Sequence, residues 1–102
     1  MSTIANDKDI SCRINLPDGD QIVLMERLGM RGLFSKIERA RNVFRVNAKG
    51  RVKWRIRSKF DADGGPFTNL QLENGLTAYR WDGATYSVDL DTGNAVPLAL
   101  ER

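Results

Sequence analysis

The sequence predicts an all-β fold, a single antiparallel domain of about eight strands, and three features predict it. Residues 51–57 alternate strictly between apolar and polar side chains. Short apolar runs recur along most of the chain. Most of them are separated by clusters of Gly, Pro, Asp and Asn, the residues that supply turn geometry. With 102 residues there is room for one core and not for a second, so residues 1–102 are read as one domain.

Ile10-Ser-Cys-Arg-Ile-Asn-Leu16 alternates, and Gln21-Ile-Val-Leu-Met-Glu-Arg27 is a second apolar run after Pro17-Asp-Gly-Asp20. That spacing predicts a hairpin. Residues 28–41 break the pattern. Leu28-Gly-Met-Arg-Gly-Leu33 has two glycines, and Leu33-Phe-Ser-Lys-Ile-Glu-Arg-Ala40 suits a short helical turn on Leu33, Ile37 and Ala40, with an irregular loop as the rival reading. Asn42-Val-Phe-Arg-Val-Asn47 and Arg51-Val-Lys-Trp-Arg-Ile-Arg57 then form a second hairpin around Gly50. Val52, Trp54 and Ile56 share one face of its second strand, and Arg51, Lys53, Arg55 and Arg57 share the other.

The polar connection Ser58–Phe67 contains Asp61-Ala-Asp-Gly-Gly-Pro66, which resists continuous secondary structure. Four further strands are predicted at about 67–73, 76–81, 84–90 and 95–100, joined at Gly75, Gly83 and Gly93. A faint duplication underlies them. Asn42-Val-Phe-Arg-Val-Asn-Ala-Lys-Gly50 is similar to Ala84-Thr-Tyr-Ser-Val-Asp-Leu-Asp-Thr-Gly93 with one residue inserted, which divides the chain into pseudo-repeat units 10–57 and 67–100.

Asn42-Val-Phe, Gly50-Arg-Val-Lys-Trp54, Gly65-Pro-Phe-Thr68, Ala78-Tyr-Arg-Trp-Asp-Gly83 and Tyr86-Ser-Val-Asp-Leu-Asp-Thr-Gly93 carry a resemblance. Residues 42–93 resemble a loose group of small uncharacterised bacterial all-β proteins, and also single blades of quinoprotein-type propellers. The resemblance implies blade-like four-stranded units and no particular activity. Two blades cannot close a ring, which needs at least about four. The expected arrangement is therefore two units packed as a sandwich or half-barrel, with a homodimer covering an exposed edge or face.

Charge is unevenly placed. Residues 27–59 hold twelve Lys or Arg against Glu38 alone, net +11, while residues 1–26 are net −3 and residues 60–102 net −5. Arg45 is expected on the sheet face of Arg51, Lys53, Arg55 and Arg57, giving an anion-binding surface continued by Lys59. The competing account is a solvated face neutralised by Glu73, Asp82, Asp89 or Asp91 on neighbouring strands. An acidic protein partner would use this face, a patch of Arg31, Phe34 and Arg39 on the irregular segment, and Trp81. Non-sequence-specific nucleic-acid binding through the 41–59 stripe is the alternative, with Arg31 and Arg41 among the phosphate contacts.

Catalytic and cofactor chemistry finds little support. The chain has no histidine and one cysteine, Cys12, which removes Ser-His-Asp and Cys-His catalysis, cysteine clusters and any internal disulfide. Cys12 lies in phase with Ile10 and Ile14 and is read as a core or half-buried thiol. Asp61 with Asp63 and Asp89 with Asp91 have the spacing of a paired-carboxylate hydrolase, but turn formation accounts for both pairs better. Asp61-Ala-Asp-Gly-Gly opens like a calcium loop and lacks its closing Glu, since residue 72 is Leu72. No nucleotide-binding glycine motif is present, so neither a cofactor nor a metal is expected. The N-terminus has no export signal and no apolar run approaches the roughly 20 residues that span a bilayer. The resulting expectation is a cytoplasmic, non-enzymatic binding module without membrane contact.

Overall fold

The computed structural model describes residues 10–27 and 34–98. Over them the chain runs β1 (Ile10–Asn15), β2 (Gln21–Met25), α1 (Lys36–Ala40), β3 (Val43–Val46), β4 (Val52–Arg55), α2 (Asp61–Gly64), β5 (Phe67–Leu72), β6 (Leu76–Arg80), β7 (Thr85–Val88) and β8 (Ala95–Pro97). The eight strands form two four-stranded antiparallel sheets, ordered β1-β2-β3-β4 and β5-β6-β7-β8. Every neighbouring pair is a hairpin in sequence order except β2 and β3, which are separated by the helical insertion.

Four of the turns share one device. Asp18, Asn47, Asp82 and Asp89 each accept, through a side-chain oxygen, the backbone N–H two residues on, at 2.8–3.1 Å. Short polar side chains close a turn this way because the carboxylate or amide stands in for a backbone carbonyl. Asp89 with Asp91 is thus a turn, as its sequence suggests. Gly50 and Gly93, matched in the faint duplication, fall in the corresponding β3–β4 and β7–β8 turns.

One core joins the sheets. Ile22, Leu24, Val43, Trp54 and Ile56 from the first meet Phe67, Leu70, Leu76, Ala78, Tyr86, Val88 and Ala95 from the second, with Cys12 and Ile14 half-buried against them. Phe67 and Tyr86 pack edge to face, centroids 5.4 Å apart. Beyond β4, Arg57 bridges to Asn94 in parallel, its N–H donating to the Gly93 carbonyl and its carbonyl accepting from Ala95. On the opposite side β1 and β2 lie against β5.

Three expectations are corrected here. The sheets remain separate and neither is closed or curled into a propeller blade. A blade must offer both faces to neighbours, whereas the outer face of the second sheet presents exposed Asn69, Gln71 and Ser87 to water. Residues 61–64, expected to resist regular structure, form a single helical turn, because the Asp61 carboxylate accepts the Ser58 N–H and the Ser58 hydroxyl accepts the Phe60 N–H. The β8 edge is not open for pairing with another copy. It is bridged to Arg57, and Pro97 has no N–H to offer.

Between β2 and β3 the insertion is helical over Lys36–Ala40. Ser35 and Glu38 form a reciprocal capping box, the Glu38 N–H donating to Ser35 Oγ at 3.1 Å and the Ser35 N–H to Glu38 Oε1 at 3.0 Å. Those Ser35 contacts, backbone first, hold the Glu38 carboxyl below its ordinary range. At the other end Arg55 donates to the carbonyls of Arg41 and Glu38 at 2.7 and 3.1 Å, adding a charged donor at the helix C-terminus.

Candidate functional site

The strongest polar construction in the molecule is built on Arg80. The alternation of β6 puts Leu76, Ala78 and Arg80 on the inner face, so a guanidinium is driven into the core, with its side chain 1% exposed. It lies over the rings of Phe67 and Tyr86, at 4.2 and 4.7 Å from their centroids. Its Nη2 donates to Asp61 Oδ1 at 2.9 Å and to Ser58 Oγ at 3.0 Å, and Nη1 donates to the Gly65 carbonyl. The adjacent glycines are explained by this approach. A Cβ on Gly64 would stand inside the guanidinium, and Gly65 has φ +72°, ψ −179° with the Trp81 indole lying directly on it.

Asp61 is the centre of the same network. It accepts from Arg41 Nε at 2.7 Å, from the Ser58 N–H at 2.9 Å, from the Ser58 hydroxyl at 2.8 Å and from Arg80. Burial alone would raise its carboxyl, but the hydrogen bonds from Arg41, Ser58 and Arg80 outweigh burial and hold it below the ordinary 3.8. With its oxygens taken up and the residue 2% exposed, Asp61 offers no open lone pair to a substrate. The side chain of its sequence partner Asp63 lies outside the described residues.

A second ion cluster ties the first sheet to the β7–β8 turn. Arg45 Nη2 meets Asp18 at 2.7 Å, its Nε meets Asp20 at 2.9 Å and its Nη1 donates to the Leu90 carbonyl at 2.8 Å. Lys53 Nζ reaches Asp20 at 2.7 Å. The Lys53 hydrogen bond, supported by Arg45 against the effect of burial, holds the Asp20 carboxyl below its usual range.

Depressed carboxyls set the sign of the pH response. The stability they contribute is present above their unfolded value near 3.8 and is lost as pH falls through the lower folded values. Stability measured by circular dichroism is therefore expected to fall progressively as pH drops from about 5 toward 1, with Asp61→Asn giving a protein of lower neutral stability and a flatter acid limb. A stability that stays level or rises over that range would contradict this.

The predicted site residues are scattered by these pairings. Arg45 does not share the outer face of Arg51, Arg55 and Arg57: it pairs directly with Trp54 on the inner side. The register shift between Arg45 and Val46 leaves Lys53 as the extra residue of a β-bulge. Arg41, Lys53 and Arg55 are bound internally as described, so residues 41–59 do not form one open stripe. Their acidic partners are Asp18, Asp20 and Asp61 rather than Glu73, Asp82, Asp89 or Asp91. Arg51 is exposed at the start of β4. Arg57 and Lys59 are exposed and, among the described residues, their side chains have no partner.

On the inserted segment Arg31 lies outside the described residues. Phe34 is half-buried beneath the Arg27 guanidinium, 4.1 Å from its ring, and Arg39 is half-buried on α1. Trp54 belongs to the core, its indole N–H donating to the Leu90 carbonyl at 2.6 Å. Trp81, by contrast, is 57% exposed, and its indole N–H donates to the Gly64 carbonyl at 3.1 Å. Phe60 and Ile37 are also exposed, on α2's first flank and on α1, and the two helices pack together.

An open depression of about 430 Å³ lies beside the Pro17–Asp20 and Ala48–Gly50 turns, with Val23 and Val46 in its lining and no carboxylate there. Among the described residues no three His, Cys, Asp or Glu side chains gather as a metal site, and no helix is long and apolar enough to cross a membrane.

Fold and polar centre together define an all-β, two-sheet domain whose sheets are stitched by an internal arginine–carboxylate network. Residues 14–99 match the family described as Domain of unknown function (DUF7957), and the chain belongs to that family. Neither the curated proteins nor the solved structures provide a match.

Proposed function

We propose that the domain is a non-catalytic protein-interaction module that docks an acidic segment of its partner on the α1–α2 end of the fold. The observation that carries this reading is Trp81, 57% exposed yet fixed by its hydrogen bond to Gly64 and its seat on Gly65. An exposed indole that is already ordered loses little entropy on binding, and tryptophan is the residue type most favoured at binding hot spots. Phe60 and Ile37 extend the apolar contact, and the unpaired heads of Arg57 and Lys59 supply attraction for carboxylates. A nucleic acid would need a continuous open row of cations, and Arg41, Arg45, Lys53 and Arg55 are already engaged.

Selection of binders from a random displayed-peptide library tests the proposal. The expected winners combine Asp or Glu with one aromatic or leucine anchor, lose binding on Trp81→Ala, weaken with Arg57→Glu or Lys59→Glu, and retain part of their affinity at roughly 0.5 M salt. Binders that ignore Trp81, or binding confined to a DNA duplex and abolished by salt, would overturn it.

A further inference from the structure

We propose that the outer face of the second sheet is a platform for a neutral oligosaccharide, a site separate from the α1–α2 surface. The register of β5, β6 and β7 aligns two cross-strand rows on this face, Asn69–Tyr79–Thr85 and Gln71–Thr77–Ser87. Every member is an uncharged amide or hydroxyl, in a chain where 28% of residues are charged. The first sheet's outer side, by contrast, carries Arg13 and Arg55. Loss of charge from an exposed patch is the compositional mark of a contact surface, and with the Glu73 carboxylate at its border already engaged by Gln71, the rows suit a ligand that is neutral and rich in hydrogen-bonding groups.

A sugar ring has that chemistry, with hydroxyls on its rim and an apolar C–H face that packs on an aromatic ring. Tyr79 supplies the ring and is held in place, its hydroxyl donating to Gln71 Oε1 at 2.8 Å while Gln71 Nε2 donates to Glu73 Oε2 at 3.0 Å. Among the described residues the hydroxyls of Thr77 and Ser87 have no protein partner, so both can donate to and accept from a ligand. On β8, next to Ser87, Val96 is 62% exposed and gives the platform an apolar shoulder.

Size selects the occupant. Four strands at about 4.8 Å spacing and a few residues in length make a footprint on the order of 300 Å². A stable protein dimer buries about 800 Å² on each partner, so a second copy resting on this face alone would be held weakly. A short saccharide chain, which needs only a few rings in contact, fits the area available.

The test is a titration of the ¹⁵N-labelled full chain with cellohexaose, maltohexaose and chitohexaose, each to roughly 5 mM, which exceeds the millimolar dissociation constants expected of a shallow platform. The expected result is amide shifts confined to Thr77, Tyr79, Thr85, Ser87 and their neighbours with at least one of the three. Tyr79→Ala should weaken that binding about tenfold or more. Ser87→Lys, which puts a charge on an exposed strand position and leaves the core untouched, should weaken it with the rest of the spectrum unchanged. Absence of shifts with all three sugars, shifts that map to the first sheet, or concentration-dependent shifts of the same residues without sugar would each overturn the proposal, the last by assigning the face to self-association.

Discussion

Replacing Arg80 with alanine is expected to destabilise the domain by about 3–5 kcal/mol, the range for breaking a buried ion pair from one side. Three separate losses combine. Asp61 keeps Arg41 and Ser58 but loses its fully buried counter-ion, Ser58 Oγ and the Gly65 carbonyl lose a charged donor, and the space over the Phe67 and Tyr86 rings is vacated. Set against a total of about 5–15 kcal/mol for a small domain, the change should be obvious in a urea melt as a large drop in midpoint. Arg80→Lys tests the geometry separately from the charge. An ammonium cannot reach Asp61, Ser58 and Gly65 from one plane, so this variant should lie close to alanine rather than to the native protein. A midpoint within experimental error of native for Arg80→Ala would mean that the network follows from the fold and does not support it.

Much of the strand arrangement was legible because two signals are local. Alternation over 51–57 assigns Trp54 and Ile56 to the core and Arg55 and Arg57 to the outside, and all four lie so. Turn positions followed from Asp and Asn standing one to four residues ahead of a glycine, and Asp18, Asn47, Asp82 and Asp89 close those turns with their side chains. The insertion carried a readable signal as well. Ser35-Lys-Ile-Glu38 is a capping-box pattern, and it decides between helix and loop in favour of helix.

What failed was non-local. Strict alternation would have Arg45 face the same way as the β4 cations, and it does not, because a bulge at Lys53 shifts the pairing by one residue. No periodicity within either strand reports a register shift between them. The Arg80 centre was missed for a different reason: a lone arginine reads as surface until its phase is compared with Leu76 and Ala78, four and two residues earlier on the same face. That phase, together with a glycine pair that leaves room for a guanidinium, was the available signal. The identity of its partner was not, since Asp61 is 19 residues away across a turn that sequence reading gave to local hydrogen bonding alone.

Asn42 has the second large effect, and its position between the sheets explains why. It is fully buried, and one amide serves both sheets: Nδ2 donates to the Met25 carbonyl at 2.7 Å and to the Phe67 carbonyl at 2.8 Å, while Oδ1 accepts the Phe67 N–H at 2.9 Å. The side chain thereby imitates a strand pairing at the start of β5 while holding the end of β2. Asn42→Ala leaves three buried backbone groups without this partner, and at about 1–3 kcal/mol for each unsatisfied group, reduced where water enters, a loss of about 3 kcal/mol is expected from a denaturant melt. Asn42→Asp gives a sharper test through its pH dependence. Its carboxylate would face the Met25 and Phe67 carbonyls that now receive N–H donors, so the folded state should prefer the protonated acid and its pKa should rise above the unfolded value near 3.9. For a raised carboxyl the favourable contribution is full below the unfolded pKa and fades as pH rises through the folded one. Asn42→Asp should therefore be markedly less stable at pH 7 than at pH 4, relative to the native chain measured alongside it. Equal deficits at the two pH values would place the carboxylate in water, and with it the junction of the two sheets.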